Sequence, residues 1–212
     1  MSAAILFKAN PETLTGYGSD WPEPCYFNMT GDYSYLTDGY YSSLEAELQG
    51  IAVFPTTADA LDAYVVPIAM EKARQHQLAV PGYDIVVDKL APPVLAYPIN
   101  PFSTKYEIVL DGEMVTAKLR TLTMTGKYAA ICQKLPRDYR IDAVRCVLGR
   151  TLVKEYGSFA KRVFEVFKLP LMRVRVIVTT SDYLFSAIEP LPFDDLTLNE
   201  KKLLGSLGTW QR

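Results

Sequence analysis

The side chains able to do chemistry are few and lie far apart. In "LMRVRVIV", Met172, Val174, Val176 and Val178 alternate with Arg173 and Arg175, so both guanidinium groups fall on one face of a strand. "YLFSAIEP" follows a short polar stretch, and a turn centred on Ser181 sets Glu189 opposite Arg173 in a hairpin. Arginine forks suit a carboxylate-bearing ligand. The plainer reading of the pair is a cross-strand ion pair, worth about 0.2–1 kcal/mol. Far upstream, "GDYSYLTDGYYSSLEAELQG" (31–50) places Tyr33, Tyr35, Tyr40 and Tyr41 on a glycine-punctuated loop that feeds a helix. Tyrosine offers rigid contact area with a polar tip at low entropic cost. Packing by these rings and recognition through them both remain open at this level.

Other candidates lack partners for a reaction. His76 is the single histidine, in "EKARQHQ" with no cysteine near it, so a zinc site or a histidine-based triad has no material, and a solvated helix end is expected. "GYGSDW" from Gly16 begins like a dinucleotide fingerprint but has Trp21 where the third glycine belongs. "TGKY" carries the Gly126–Lys127 pair of a phosphate loop, but Tyr128 replaces the magnesium-binding hydroxyl. Asp194 and Asp195 stand just before a helix, where carboxylates serve as capping and dipole partners. No catalytic residue, metal ligand set or cofactor site is predicted.

Composition narrows the class. With 212 residues and 49% hydrophobic content, the chain can bury a substantial core. A net charge of −2, with 22 basic and 24 acidic residues spread along it, provides no extended basic field for nucleic acid. No apolar run approaches the roughly 20 residues of a spanning helix, and "MSAAILFKANPE" lacks the pattern of a signal peptide. Cys25, Cys132 and Cys146 are odd in number and widely spaced, which fits a reducing compartment. A cytoplasmic protein that binds neither membrane nor nucleic acid is expected, and the sequon at Asn28 is then without meaning.

Several elements must position these residues. A strand near 25–29 is followed by a helix capped by Asp38, closed by Gly50, and striped by Tyr41, Leu44 and Leu48. A strand at 51–55 and a helix capped by Thr57 come next, with Pro67 kinking or ending that helix. "YEIVLDGEMVTAKL" predicts a hairpin turning at Asp111 and Gly112, and "KYAAICQKL" adds a third strand to make a meander. Ser158 caps a helix bearing Phe159, Val163, Val166 and Phe167, which Pro170 stops. The Arg173 hairpin follows, then a last helix opened by a Thr197–Glu200 capping box. The fold class is therefore α/β (α+β): an alternating β-α-β-α layer, then antiparallel strands, then a helix–hairpin–helix end. The expected organisation is an N-terminal layer (1–80), a proline-rich extended connector (81–103) and an α+β lobe (104–212), compatible with one compact domain.

Three blocks resemble the N-terminal domain family of RimK-like ATP-grasp ligases. They are "FNMTGDYSYLTDGYYSSLEAELQGIAVFPT", "LGRTLVKEYGSFAKRVFEVFKLPLMRVRV" and "SAIEPLPFDDLTLNE", in family order across about residues 25 to 205. The resemblance implies a non-catalytic module beside a ligase that activates a carboxylate as an acyl phosphate for attack by an amine. In ATP-grasp ligases a comparable hairpin ends in a metal-binding glutamate, followed two residues later by asparagine. Here Glu189 is followed by Pro190 and then Leu191, which leaves magnesium without its second ligand. The expected function is an accessory or substrate-presenting module. It would act with a ligase in cis or in trans, holding the ligase or a peptide or amino-acid substrate through Tyr33, Tyr35, Tyr40, Arg173, Arg175 and Glu189. The alternatives are a stand-alone enzyme or remnant ligase using Glu189, and a structural dimerisation domain forming a homodimer.

Overall fold

The computed structural model describes residues 6–17, 21–100, 105–109 and 114–210. The chain opens with β1 (Leu6–Ala9) and the short α1 (Pro11–Leu14), neither of which the sequence announced. The predicted alternation then follows as β2 (Tyr26–Asn28), α2 (Asp38–Leu48), β3 (Val53–Phe54) and α3 (Thr57–Tyr64). The helix opened at Thr57 stops at Tyr64, shortly before Pro67, as expected, and Pro67 itself lies in the first turn of a new helix, α4 (Val66–Gln75). His76 is the exposed residue that ends α4, as its polar surroundings suggested.

The caps of α2 and α3 lie one residue before those predicted. Thr37 caps α2, its Oγ1 accepting the Tyr40 N–H, and Asp38 is the first helical residue. Thr56 Oγ1 accepts the Asp59 N–H at the start of α3, one residue before the expected Thr57. Gly50 closes α2 at φ +72°, as expected, and Ile51 N–H reaches back to the Ala46 carbonyl at 2.9 Å.

The middle of the chain holds β4 (Tyr83–Val86), β5 (Val94–Pro98), β6 (Glu107–Val109), α5 (Val115–Leu122) and β7 (Ala130–Lys134). Three expectations change here. The turn at Asp111 and Gly112 lies outside the described residues, but the segment meant to be its second strand is α5. Val115, Leu119 and Leu122 recur at i, i+4 and i+7, a helical period that packs on Val94, Ala96, Val109, Ala130 and Cys132. No meander forms, because β7 inserts between β4 and β5 in an antiparallel sheet of order β4-β7-β5-β6. Residues 81–103, read mostly as connector, hold two strands, and β5 is buried throughout. Pro92 and Pro93 precede it and Pro98 closes it, so its interior keeps every ladder donor.

The last part runs β8 (Arg140–Val147), α6 (Gly157–Phe167), β9 (Leu171–Val178), β10 (Tyr183–Glu189), α7 (Leu198–Gly205) and β11 (Gly208–Trp210), which contains the expected helix–hairpin–helix. Ser158 sits inside the first turn of α6 and does not cap it. Phe159, Val163, Val166 and Phe167 are buried as predicted, and Lys168 at φ +55° ends the helix before Pro170. One sheet has the order β10-β9-β8 and another the order β11-β1-β2-β3. In the latter, β2 and β3 are parallel with α2 as the crossover, whereas β1 pairs antiparallel with both β2 and β11. The architecture is thus mixed α/β (α+β).

Contacts gather the chain into two units. The first comprises Met1–Asp62, Val144–Val174 and Glu189–Arg212, and the second Ala63–Ala143 and Arg175–Ile188. In the first, Phe7, Phe27, Met29, Phe164 and Phe167 form the buried centre, and Trp21 packs on Phe27, Phe54 and Phe164. In the second, the Gln133 side chain is fully buried. Its Nε2 donates to the Ser186 carbonyl at 2.8 Å and its Oε1 accepts the Ser186 hydroxyl at 2.6 Å.

Candidate functional site

The tyrosine-rich loop is built on Asn28, at the end of β2. This buried amide donates from Nδ2 to the Gly39 carbonyl at 2.8 Å and to Ser43 Oγ at 3.0 Å, and its Oδ1 accepts the Thr30 N–H at 3.1 Å. Asn28 thereby ties the strand end to the first turn of α2. Tyr33 folds inward, almost fully buried, and donates its hydroxyl to the Asn28 carbonyl at 2.7 Å. The first and third sequence blocks meet here. Leu191 N–H donates to the Gly31 carbonyl at 2.8 Å and Phe193 N–H to the Thr30 carbonyl at 3.1 Å, so "EPLPF" runs along the loop. The closeness of that approach requires glycine: Gly31 stands at φ +81° against the Leu191 carbonyl, and Gly39 lies against the Asp32 carbonyl and Thr30 Oγ1.

A cleft of about 790 Å³ opens between α2 and this third block. Its walls overturn the expected packing of α2. The buried face carries Gly39, Ser43 and Ala46, at i, i+4 and i+7, small residues that let the helix lie close to its neighbours. Tyr41 (51% exposed) and Leu48 (81% exposed), the expected core stripe, line the cleft with Leu44, Pro192 and Phe193. Among the described residues, four carboxylates border it, from Asp32, Asp38, Glu45 and Asp194, and no basic side chain does. Beside it Tyr35 and Tyr40 meet edge to face, centroids 5.2 Å apart, and Tyr40 meets Tyr41 at 6.1 Å. Sequence reasoning missed this cleft. The signal for it was the spacing of the small residues in "DGYYSSLEAEL", which marks the buried face as surely as leucines do.

The predicted strand residues separate into two pairs. Arg173 Nη1 lies 3.8 Å from Glu189 Oε2, the cross-strand ion pair read from the hairpin. Arg175 lies over the Tyr106 ring, 4.8 Å from its centroid, in the second unit. The structure therefore brings together Arg173 with Glu189 and Tyr35 with Tyr40, buries Tyr33, and gives Arg175 an aromatic partner.

A stronger ionic cluster, absent from the predicted site, lies elsewhere in the first unit. Arg145 grips Glu200 through two hydrogen bonds, Nε to Oε1 at 2.7 Å and Nη2 to Oε2 at 2.8 Å, and Nη2 also donates to the Asp195 carbonyl at 2.7 Å. Thr197 and Glu200 complete the predicted capping box. The Arg145 guanidinium and the Thr197 donors hold the buried Glu200 carboxyl down at about 2. Burial pushes the thiols of Cys25 and Cys146 up to about 12 and that of Cys132 to about 11, so none is poised as a nucleophile. Among the described residues no cluster of histidine, cysteine or carboxylate side chains is arranged to hold a metal ion. No helix among them is long and apolar enough to cross a membrane.

Solved structures share this fold. The D-alanine–D-alanine ligase of Bacillus anthracis complexed with ATP superimposes with a TM-score of 0.58 at 14% identity, over 78% of this chain and 69% of the ligase. A RimK domain ATP-grasp protein from Sphaerobacter thermophilus gives 0.56 at 13% identity, over 77% of this chain and 72% of its own. The ATP-grasp ligase PsnB, complexed with precursor peptide PsnA2 and AMPPNP, gives 0.52 at 11% identity, over 78% and 64%. Identities this low establish a common fold and nothing more. No curated protein matches the sequence. The signature of one family, however, matches residues 19–206, which takes in the tyrosine loop, the Arg173–Glu189 hairpin and the Arg145–Glu200 cluster. The chain belongs to the RimK-like ATPgrasp N-terminal domain family.

Proposed function

We propose that this chain is an accessory or substrate-presenting module for an ATP-grasp ligase that forms amide bonds, acting in cis or in trans within the cytoplasm. The observation that supports it most is the cleft beside α2, where the first and third family-like blocks fold against each other and leave Tyr41 and Leu48 facing solvent. Surface apolar side chains on a pre-formed cleft serve contact with a partner more readily than chemistry. Tyr35 and Tyr40, edge to face beside the cleft, supply rigid contact area, and Tyr33 supports the loop from below. A peptide or amino-acid substrate is the ligand class suggested by PsnB, which was solved with a precursor peptide. The Arg173–Glu189 pair has a structural role in this reading. A guanidinium 3.8 Å from the carboxylate opposes a divalent cation at Glu189.

The test is capture of partners by the tagged chain from its native lysate, alongside a Tyr35→Ala, Tyr40→Ala variant. Recovery of an ATP-grasp ligase by the parent, lost in the variant, supports the proposal. Magnesium-nucleotide-dependent stabilisation of the chain alone would instead favour a stand-alone or remnant ligase. Self-association through the tyrosine loop with no other partner would favour a dimerisation domain.

A further inference from the structure

The outward face of α2 has a register that its length conceals. Setting Tyr41 at position a of a heptad places Leu44 at d and Leu48 at the next a, with Asp38 and Glu45 both at e. The positions turned inward, Gly39, Ser43 and Ala46, are c and f. The exposed side is therefore a short coiled-coil seam, apolar at a and d and acidic along one flank. Across the cleft Phe193 supplies an apolar wall and Asp194 another exposed carboxylate. Lys201 Nζ lies 5.1 Å from the Phe193 ring centroid. Glu47, at g, is engaged by the N–H and hydroxyl of Thr57 at 3.0 and 2.8 Å, so the two flanks are not alike.

We infer that this seam receives an amphipathic helix with apolar residues at a and d and lysine or arginine flanking them. The inference rests on the reading of the chain as a partner-holding module and names the chemistry of what it holds. Charge argues for the occupant. Among the described residues, four carboxylates and no cation line the cleft of a chain whose total charge is only −2, so the acidity is local. A second copy of α2 would set acidic flanks against each other, and a carboxylate-bearing ligand would meet the same field. A cationic helix satisfies both the stripe and the rim, the arrangement by which grooves take helical segments through anchors at i, i+3 and i+7.

The experiment uses the full chain and three synthetic peptides of about 18 residues, long enough to take up helix on docking. One has leucine at a and d with lysine at e and g, the second has glutamate in place of lysine, and the third is a scramble of the first. Binding is followed by fluorescence anisotropy at low and high salt. The lysine peptide is expected to bind saturably, about tenfold tighter than the glutamate peptide, and more weakly as salt rises. Leu44→Glu with Leu48→Glu abolishes binding, and Glu45→Lys with Asp194→Lys reverses the charge preference. These side chains lie on the outer face, and an unchanged melting temperature confirms that the variants fold. Equal binding of the scramble, no saturation, or an unreversed preference in the charge-swapped variant overturns the inference. Ligase capture from lysate is a separate readout, so a chain that captures the ligase but ignores the lysine peptide refutes this inference and leaves the functional proposal standing.

Discussion

Leu191 donates its backbone N–H to the carbonyl of Gly31 at 2.8 Å, while its own carbonyl fills the space that a β-carbon on Gly31 would need. One short contact thus joins the tyrosine loop to the segment that forms the far wall of the cleft. Gly31→Ala combines a left-handed φ with a backbone collision and is expected to cost about 2–4 kcal/mol, read as a lowered urea midpoint. An alanine variant as stable as the parent would show that the loop and the wall are not locked together.

The Tyr33 and Tyr35 side chains separate packing from recognition. Tyr33→Phe removes the buried hydroxyl that bonds to the Asn28 carbonyl, and a loss of about 1 kcal/mol is expected. Tyr35→Ala, at an exposed position, is expected to leave the melting temperature within about 2 °C and to weaken capture of the ligase. Differential scanning calorimetry and the capture assay read the two effects independently.

Glu200 makes stability depend on acid. Its carboxyl is held at about 2 in the folded chain, whereas an unfolded glutamate titrates at about 4.3. A depressed folded value means that the contribution is fully present above the unfolded value and is lost as pH falls from there through about 2. On the order of 2–3 kcal/mol is at stake. Glu200→Gln should therefore destabilise at pH 7, and the gap to the parent should close as pH falls toward 2 in denaturant titrations. A gap independent of pH would mean that Arg145 does not stabilise the charged form.

Cys25, Cys132 and Cys146 should be silent toward an aromatic disulfide reagent in the native state at pH 8 and react together once urea unfolds the chain. A rapid native phase of even one equivalent would contradict their burial.

Ser186→Ala removes the hydroxyl that donates to Gln133 Oε1, deep in the second unit, and should cost about 1–3 kcal/mol. Ser186→Thr is a poorer control than Gln133→Met, which removes the other partner and should recover part of the loss when combined with Ser186→Ala. A double-mutant cycle measures that coupling.

What the sequence made legible was whatever local chemistry decides. The Thr197–Glu200 box, the Gly50 closure, the α6 stripe and the Arg173–Glu189 register each depend on residues a few positions apart or joined by one tight turn. The misreadings have a different cause. At α5, the turn chemistry of Asp111–Gly112 outweighed the helical spacing of Val115, Leu119 and Leu122, and in β5 the flanking prolines hid a proline-free interior. On α2, the bulk of Tyr41 and Leu48 suggests burial. The real contact uses Gly39, Ser43 and Ala46, whose lack of bulk permits close approach. β1 and β11 depend on a pairing between positions about two hundred residues apart, which no local pattern encodes.

That pairing has a use in engineering. Ala9 faces Gly208 and Phe7 faces Trp210 across adjacent antiparallel strands, separated by about 5 Å. A glycine-rich linker joining the end of β11 to the start of β1 would connect two strands that already pair. New termini opened at the exposed Gln49–Gly50 bend would then give a circular permutant that keeps β11 beside β1.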